Sequence, residues 1–229
     1  MVADGDVRRG PALDRVLTAE RFAPADAPWL VIAADGGAIK ALELGLLPEV
    51  VVGDGDSLPA HRAEELRNSG AEVIVHPAAK DESDTELAVR EALSRGANRI
   101  WIVGALGGER LEHAVANLLL LSLPDLADVD ARIIDGPSEL RVIGHKGAAA
   151  TQIDGSAGDY LSLLPLSDSV AGVTTHGLLY PLLDATLTQG PARGLSNELA
   201  AHSARVTTQR GRLAVIHTVR TKESNNANP

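Results

Sequence analysis

The sequence predicts an α/β fold in which a parallel sheet with covering helices is followed by an all-β part. Two observations lead to this prediction. In the first half, short β-branched runs alternate with segments of helical pattern, the order that produces a parallel sheet with helices on its faces. After Gly136 the helical patterns give way to short strand-like runs, separated by turn signals such as Asp154-Gly155 and Arg210-Gly211.

The strands predicted in the first half are nearly continuous apolar runs, as expected for strands buried on both faces. They are Trp29–Ala34, Val50–Gly53, Glu72–His76, Arg99–Gly104 and Ala131–Asp135. The helices predicted between them are Ala38–Leu44, Pro59–Ser69, Asp84–Arg95 and Leu111–Leu121. Pro59 suits a first helical turn, and Gly70 and Gly96 suit helix C-termini. Together these elements predict a Rossmann-like nucleotide-binding catalytic domain over residues 1–136.

The second half is predicted to be a β-sandwich or barrel over residues 137–220. Its predicted strands are Glu139–Gly144, Tyr160–Pro165, Val170–Thr175, Ala204–Gln209 and Arg212–Thr218. Arg210-Gly211, between the last two, is predicted to form a tight hairpin. The polar, Asn-rich segment 221–229 is predicted to be a disordered tail.

Composition narrows the classes of partner. A formal net charge of −10 argues against nucleic acid, because the chain offers no basic stripe to neutralise phosphates. The chain has no apolar run long enough to span a membrane and no apolar stretch typical of a signal peptide near Met1. It contains no cysteine, which excludes disulfides and agrees with a cytoplasmic location.

Glycines and carboxylates follow four of the predicted strands. The segments are Asp35-Gly36-Gly37, Gly53-Asp54-Gly55-Asp56-Ser57, Lys80-Asp81-Glu82-Ser83-Asp84 and Gly104-Ala105-Leu106-Gly107-Gly108-Glu109-Arg110. Ligands bind at the carboxyl ends of parallel strands, where glycines let backbone N–H groups approach phosphates. Carboxylates repel phosphates unless a cation lies between them, and Mg²⁺ prefers oxygen ligands. The pattern therefore predicts a phosphate site that uses magnesium.

Each motif also has a purely structural interpretation. Asp35-Gly36 and Gly107-Gly108 are common turn formers. Asp84 follows Ser83, a good helix N-cap, and a carboxylate in the first turn of a helix is stabilising in itself. His113 and Asn117 lie one helical turn apart, but a single histidine is often only a packed or solvated residue. The coincidence of four such motifs at equivalent positions favours a functional site.

The ordered set of motifs resembles thiamine pyrophosphokinases. The resemblance begins with Ala34–Ala38, Pro48 and Val52–Ser57, and continues through Lys80–Glu86, Gly104–Gly108 and His113–Leu118. In the second half it covers Gly158–Pro165, Thr174–Leu182 and Arg193–Glu198. The order of the motifs is preserved from about residue 31 to residue 218.

The resemblance implies transfer of a diphosphate from ATP to thiamine, giving thiamine diphosphate and AMP, with Mg²⁺ as the metal. It also implies an α/β domain followed by a β-sandwich, and a homodimer with its sites between subunits. The catalytic residues implied are Asp54, Asp56, Asp81 and Asp84, of which Asp54, Asp56 and Asp84 bind the metal and Asp81 or Asp84 accepts the alcohol proton. The nucleotide residues implied are Asp35, Gly36, Gly37, Ser57, Gly107, Gly108, Arg110, His113 and Asn117. The thiamine residues implied are Tyr180, which stacks on the ligand, with Ser196 and Asn197.

The sequence departs from the family pattern at three places. Gly55 stands where the family has a bulky aromatic residue, and Glu112-His113 replaces an Asp-His pair. The residues Val2–Gly5 leave room for only a short edge strand, or for the remainder of a first strand. Gly55 and Glu112 keep open a related diphosphokinase with another acceptor, such as a hydroxymethylpterin. A non-catalytic nucleotide-sensing homologue is the third alternative.

Overall fold

The computed structural model describes residues 1–21 and 29–220, which form two compact units. The first unit contains residues 1–120 and 129–136, and the second contains residues 121–128 and the chain from Pro137 onward. The predicted division into domains 1–136 and 137–220 stays a prediction, and the predicted disordered tail, 221–229, lies outside the described residues. None of the described helices is long and apolar enough to cross a lipid bilayer.

The first unit alternates strands and helices as predicted. Its strands are β1 (Ile32–Ala34), β2 (Val50–Gly53), β3 (Glu72–Val75), β4 (Arg99–Val103) and β5 (Asp130–Asp135). Its helices are α1 (Pro11–Arg21), α2 (Gly37–Glu43), α3 (Ala60–Asn68), α4 (Asp84–Ser94) and α5 (Leu111–Leu120). Strands β1, β2 and β3 form a parallel sheet in that order, and β4 pairs in parallel with β5.

The chain start lies inside this arrangement and not at its edge. Val2 bridges in parallel to Ala33 of β1 and to Val103 of β4. The Val2 amide donates to the Ile32 carbonyl at 2.8 Å, and the Ala3 amide donates to the Val103 carbonyl at 2.8 Å. The expectation of a short edge strand was therefore wrong, because Val2 is buried and bonded on both sides.

Helix boundaries in the first unit follow local chemistry. The Ser83 hydroxyl accepts from the Glu86 amide at 3.2 Å and caps α4. Gly70 and Gly96, both with positive φ, directly follow the C-caps of α3 and α4, as predicted. Pro59 is the N-cap of α3, so the helix begins at Ala60, one residue later than predicted. Buried aliphatic side chains such as Leu13, Val51 and Leu66 form the cores beneath these helices.

The second unit consists of two antiparallel sheets. Its strands are β6 (Ser138–Ile143), β7 (Ala149–Asp154), β8 (Tyr160–Pro165), β9 (Ser169–His176), β10 (Ala185–Thr188), β11 (Asn197–Glu198), β12 (Ser203–Thr208) and β13 (Leu213–Thr218). One sheet has the order β10-β9-β12-β7, and the other contains β11-β8-β13-β6. Val173 and Val206 of the first sheet share one buried cluster with Leu161 and Leu213 of the second.

The predicted hairpin at Arg210-Gly211 is wrong. Strand β12 pairs with β7 and β9, whereas β13 pairs with β6 and β8, so the turn connects two sheets. Gly211 fits there because its φ is 94° and an added Cβ would lie 2.5 Å from the Ser169 carbonyl oxygen. The turn residues were recognised correctly, but a turn signal does not determine which strands its flanks pair with.

Candidate active site

The carboxyl ends of the parallel strands open into a cleft of about 460 Å³. We call it the acidic cleft, because Asp35 after β1, Asp54 after β2 and Asp84 at the start of α4 all line it. One carboxylate oxygen from each of these residues lies within 4.8 Å of the other two. Three carboxylates so close repel one another unless positive charge lies among them. The geometry is therefore suited to a bound cation.

Asp35 is the most buried member of this group, with 3% of its surface exposed. Its φ of 43° is unusual for a residue other than glycine, and its Oδ2 accepts from the Ser57 amide at 2.8 Å. Burial, together with the nearby carboxyls of Asp56 and Asp84, raises the pKa of Asp35 to about 6, although the Ser57 hydrogen bond opposes the shift. Its carboxylate is thus held in place at an electrostatic cost that a cation would relieve.

Lys80 supplies the positive charge among the described residues of the cluster. Its Nζ donates to Asp54 Oδ2 at 2.8 Å and approaches Asp84 Oδ1 at 3.2 Å. The hydrogen bond from Lys80 lowers the pKa of Asp54, and the same bond raises the pKa of Lys80. Asp84 Oδ1 is nevertheless buried and has no well-aligned hydrogen bond among the described residues. Among the described residues, its partner is therefore the Lys80 ammonium, in an ion pair without good hydrogen-bond alignment.

Asp56, Ser57 and Asp81 lie farther toward solvent. Asp56 and Ser57 line the acidic cleft, and the Ser57 hydroxyl donates to Asp56 Oδ1 at 2.9 Å. The Asp56 amide donates to Asp54 Oδ1 at 3.2 Å, which closes the turn around Gly55. Asp81 is exposed and is not among the described residues that line the cleft. The metal role of Asp56 and the proton-accepting role of Asp81 stay predictions.

Several glycines allow the close backbone approach that shapes this region. A Cβ at Gly53 would lie 2.7 Å from Asp35 Cβ, and a Cβ at Gly36 would lie 2.5 Å from Asp4 Oδ1. A Cβ at Gly37 would lie 2.3 Å from the Val2 carbonyl oxygen. Gly36 and Gly37 thus make room for the first segment of the chain, and neither is among the described residues that line the cleft. Their predicted contact with a nucleotide stays a prediction.

The remaining predicted nucleotide residues border the other side of the cleft. They are Gly107, Gly108, Arg110, His113 and Asn117. Arg110 and His113 are exposed, and the Arg110 guanidinium donates to Glu112 Oε1 at 2.8 Å. Asn117 is buried and donates to the Ala105 carbonyl at 2.9 Å, so it anchors the glycine-rich loop. Arg110 and His113 are therefore free of packing that would prevent contact with a ligand.

The predicted thiamine residues form a separate cluster in the second unit. The Tyr180 side chain is 72% exposed. Asn197 holds its backbone from both sides, since Asn197 Oδ1 accepts from the Tyr180 amide at 3.1 Å and Nδ2 donates to the Tyr180 carbonyl at 2.7 Å. Ser196 has a φ of 57°, and its amide donates to the Ser162 hydroxyl at 3.0 Å. The cluster presents an aromatic face on a fixed backbone.

Lys80 and Asp4 are among the residues lining the acidic cleft that were not predicted as site residues. Lys80 belongs to a segment singled out for its carboxylates, and its position four residues before Asp84 was the signal available. Asp4 also lines the cleft, and burial raises the pKa of its carboxyl. No pattern in the sequence places Asp4 there, because its position depends on the pairing of Val2 between β1 and β4.

The raised pKa of Asp35 predicts a pH-dependent stability difference. A carboxyl with a higher pKa in the folded state favours folding at low pH, and this contribution is lost as pH rises from about 4 to about 6. In the presence of a chelator, Asp35→Asn should therefore raise Tm by a few degrees at pH 7.5 and by much less at pH 4.5. Asn also tolerates the positive φ at this position. An equal change of Tm at both pH values, measured by calorimetry, would contradict the assignment.

The structure accommodates both Gly55 and Glu112, two residues at which the sequence departs from the pattern of the family it resembles. Gly55 has a φ of 80°, and a Cβ there would meet nothing within 4 Å. The loop is therefore open at the position where the resemblance implied a bulky side chain. Glu112 pairs with Arg110 at 2.8 Å, and this hydrogen bond lowers the pKa of the Glu112 carboxyl. Its longer side chain thus keeps a carboxylate beside the arginine.

Comparison with known proteins bears on both units. A family model described as "Thiamin pyrophosphokinase, catalytic domain" matches residues 25–133, and one described as "Thiamin pyrophosphokinase, vitamin B1 binding domain" matches residues 150–213. The thiamine pyrophosphokinase of Bacillus subtilis (strain 168) is 29% identical over 174 residues, which are 76% of this chain and 80% of that protein.

Solved structures of thiamine pyrophosphokinases align with nearly all of this chain. The thiamine pyrophosphokinase of Bacillus subtilis gives a TM-score of 0.79 at 26% identity, covering 96% of this chain and 98% of that one. The thiamin pyrophosphokinase of Geobacillus thermodenitrificans gives a TM-score of 0.72 at 30% identity, covering 97% of this chain and 99% of that one. The chain therefore belongs to the thiamine pyrophosphokinase family of diphosphotransferases.

Proposed function

We propose that this protein transfers a diphosphate group from ATP to the hydroxyethyl oxygen of thiamine, giving thiamine diphosphate and AMP. The observation that carries the proposal is the cluster of Asp35, Asp54 and Asp84 at the carboxyl edge of the parallel strands. Ligands of α/β proteins bind at this edge, and clustered carboxylates need a cation before they can face phosphates. Membership of the thiamine pyrophosphokinase family identifies thiamine as the acceptor and ATP as the donor.

The residues present fit a magnesium ion. Oxygen ligands are the ones that Mg²⁺ prefers, and Asp84 Oδ1 is a buried oxygen without a well-aligned hydrogen bond among the described residues. Asp35, Asp54 and Asp84 would hold the ion, and Asp56 at the cleft mouth is the further ligand that the sequence predicted. A magnesium ion bound there would offset the negative charge that builds on the departing AMP.

The chain's own residues position the two substrates. Gly107 and Gly108 let the backbone of this loop approach the ATP phosphates, although the Gly108 amide itself donates to Asp6 Oδ2 at 3.1 Å. The exposed Arg110 guanidinium adds a positive charge on the same side of the cleft. The thiamine oxygen bonds to the middle phosphorus as the bond from that phosphorus to the AMP oxygen breaks. Of the two predicted proton acceptors, Asp84 lines the cleft, which favours it over Asp81.

The thiamine side of the proposal rests on Tyr180, Ser196 and Asn197. A flat cationic ligand stacks favourably on an exposed tyrosine ring. Asn197 fixes the Tyr180 backbone through two hydrogen bonds, so the ring is presented from a rigid position. The predicted contacts of Ser196 and Asn197 with thiamine are part of the proposal.

Tyr180→Ala should raise the KM for thiamine about tenfold and leave the KM for ATP nearly unchanged. The expected loss corresponds to an aromatic contact of roughly 1–2 kcal/mol. Steady-state kinetics with each substrate varied in turn gives both constants. Tyr160→Ala is the matched control, because the Tyr160 ring contacts the Arg220 guanidinium within the second unit, at 5.2 Å. Equal changes in both KM values for Tyr180→Ala would count against stacking.

The fold and assembly that accompany this function are also proposed. They are a Rossmann-like first domain, a β-sandwich second domain, and a homodimer with active sites at the subunit interface. The cluster shared by the two antiparallel sheets supports the sandwich. The exposed apolar side chains of Leu111, Val115 and Leu119, one helical turn apart on α5, support association with a second copy. A cytoplasmic location stays a prediction.

A second acceptor remains a specific alternative, because the open space at Gly55 departs from the family pattern. The deciding experiment incubates the purified chain with ATP and MgCl₂, and with either thiamine or a hydroxymethylpterin. Release of AMP with thiamine, in equal amount to thiamine diphosphate, is the expected result. Release of AMP with the pterin alone would establish the alternative acceptor, and no AMP with either would point to a nucleotide-sensing role.

A further inference from the structure

A second cavity of about 580 Å³ lies at the amino ends of strands β1 and β4, whereas the acidic cleft lies at the carboxyl ends of the parallel strands. We call it the tryptophan pocket. Its lining includes Trp29 and Leu30 before β1, the residues Arg99–Trp101 that begin β4, and the residues Arg95–Asn98 that follow α4. Its volume falls within the range of small-molecule sites, roughly 300–1,000 Å³. The proposed diphosphate transfer does not use any of these residues.

Both tryptophans of the chain line this pocket. Their ring centroids lie 4.5 Å apart with an angle of 38° between the planes. The chain contains only five aromatic residues in total, namely Phe22, Trp29, Trp101, Tyr160 and Tyr180. The pairing therefore concentrates a large part of the aromatic surface at one cavity, where a planar ligand can stack.

The indole nitrogen of Trp101 is a buried donor without a partner. Its Nε1 has no hydrogen bond among the described residues. A buried Trp N–H usually finds an acceptor, and leaving it unsatisfied costs roughly 1–3 kcal/mol. That nitrogen has almost no accessible surface, so it is not a contact point for a molecule in the pocket. The two tryptophan rings are therefore the stacking surface that the pocket offers.

The charged side chains among the described lining residues are Arg95 and Arg99. The Arg95 guanidinium forms ion pairs with Glu72 and Glu91, each at 2.6 Å. Arg99 is 57% exposed, and its guanidinium carbon lies 6.0 Å from the Trp101 ring centroid. Its ion pair with Asp130 is long, at 3.6 Å, because Arg132 already donates to both oxygens of that carboxylate. Arg99 therefore keeps capacity for an anionic group.

We propose that the tryptophan pocket binds a small planar aromatic anion. Its ring stacks on the tryptophan pair, and its phosphate or carboxylate pairs with Arg99. A nucleoside monophosphate and an aromatic carboxylate share this chemistry. The site is separate from the acidic cleft, so its failure and the failure of the proposed diphosphate transfer are measured independently.

The test uses intrinsic tryptophan fluorescence, because no tryptophan is among the described residues of the acidic cleft. The full chain is titrated in the presence of a chelator with AMP, nicotinate, adenosine or inorganic phosphate. AMP or nicotinate should give a saturable change in fluorescence, and whichever binds identifies the anionic group. Adenosine and inorganic phosphate, which each lack one half of the ligand, should bind at least about tenfold more weakly.

Arg99→Gln should weaken binding of the active probe about tenfold, because it removes the guanidinium and leaves an uncharged polar side chain that ends at the δ-carbon amide. Arg62→Gln is the matched control, since Arg62 is an exposed arginine of α3 that pairs with Glu65. Thermal melting establishes that both variants are folded. The proposal is overturned if neither AMP nor nicotinate gives a saturable change, if adenosine binds as tightly as AMP, or if the two arginine variants bind equally well.

Discussion

Asp54→Asn should lower kcat at least about a hundredfold while the protein remains folded. Residues that only support a metal ligand typically contribute 10–100-fold to activity or metal affinity, so loss of a carboxylate in the cluster should exceed this. The substitution keeps the shape of the side chain and an oxygen that can accept from Lys80. It removes one negative charge from the group whose oxygens lie within 4.8 Å of each other. Initial rates and circular dichroism give the two quantities.

Asp14→Asn provides the matched control for this change. Asp14 is an exposed aspartate in the first turn of α1, in the same unit and outside the described lining of the acidic cleft. Its activity should remain close to that of the unaltered protein. Magnesium titration of Asp54→Asn should also show weaker binding. An active Asp54→Asn variant with unchanged magnesium affinity would remove Asp54 from the metal site.

Gly53→Ala should lower kcat about a hundredfold, although Gly53 carries no functional group. A Cβ at this position would lie 2.7 Å from Asp35 Cβ and 3.2 Å from Asp35 Cα, so the Asp35 backbone has to shift. Asp35 is tied to the Val52 carbonyl at 2.9 Å and to the Ser57 amide at 2.8 Å, which limits where it can go. A misplacement of about 1 Å commonly costs about a hundredfold in rate.

Gly55→Ala tests whether this loop tolerates alanine in general, apart from the steric clash expected at Gly53. Gly55 lies two residues away and has nothing within 4 Å of an added Cβ. Its positive φ makes alanine cost roughly 1 kcal/mol of stability, but the carboxylates should stay in place. We expect kcat close to the unaltered value for Gly55→Ala. Equal losses of activity in both variants would contradict the role assigned to Gly53.

The elements that the sequence predicted best are those set by local chemistry. Strand β2 was predicted with its observed bounds, because a short apolar run between turn signals has few alternatives. Helix α4 was predicted to within one residue, since Ser83 caps its start and Gly96 follows its end. Strand β1 is shorter than predicted and begins at Ile32.

Elements that depend on distant partners were missed. Strand β7 has the weak β-former sequence Ala-Ala-Thr-Gln-Ile-Asp and exists through its pairing with β12. Helix α1 was overlooked, although Pro11 at its first position and Asp14 in its first turn were available signals. The central place of Val2 depends on bonds to both β1 and β4, which no local pattern encodes.

In the candidate site, too, the features set by local sequence were predicted, and those set by distant contacts were not. The carboxylates at the strand ends were predicted because each follows an apolar run directly, as Asp35 follows β1 and Asp54 follows β2. What the sequence could not provide was distance. The structure groups Asp35 with Asp54 and Asp84, and it inserts the Lys80 ammonium between Asp54 and Asp84. That arrangement depends on the conformation of the segment before α4, to which Lys80 belongs.

Following the β-phosphate of ATP distinguishes diphosphate transfer from transfer of a single phosphoryl group. The purified chain is incubated with thiamine, MgCl₂ and ATP labelled at the β-phosphate, and the products are separated. We expect the label to leave with the transferred group and to appear in thiamine diphosphate, with unlabelled AMP formed in equal amount. Label retained in ADP, with thiamine monophosphate as the other product, would show transfer of a single phosphoryl group and exclude diphosphate transfer.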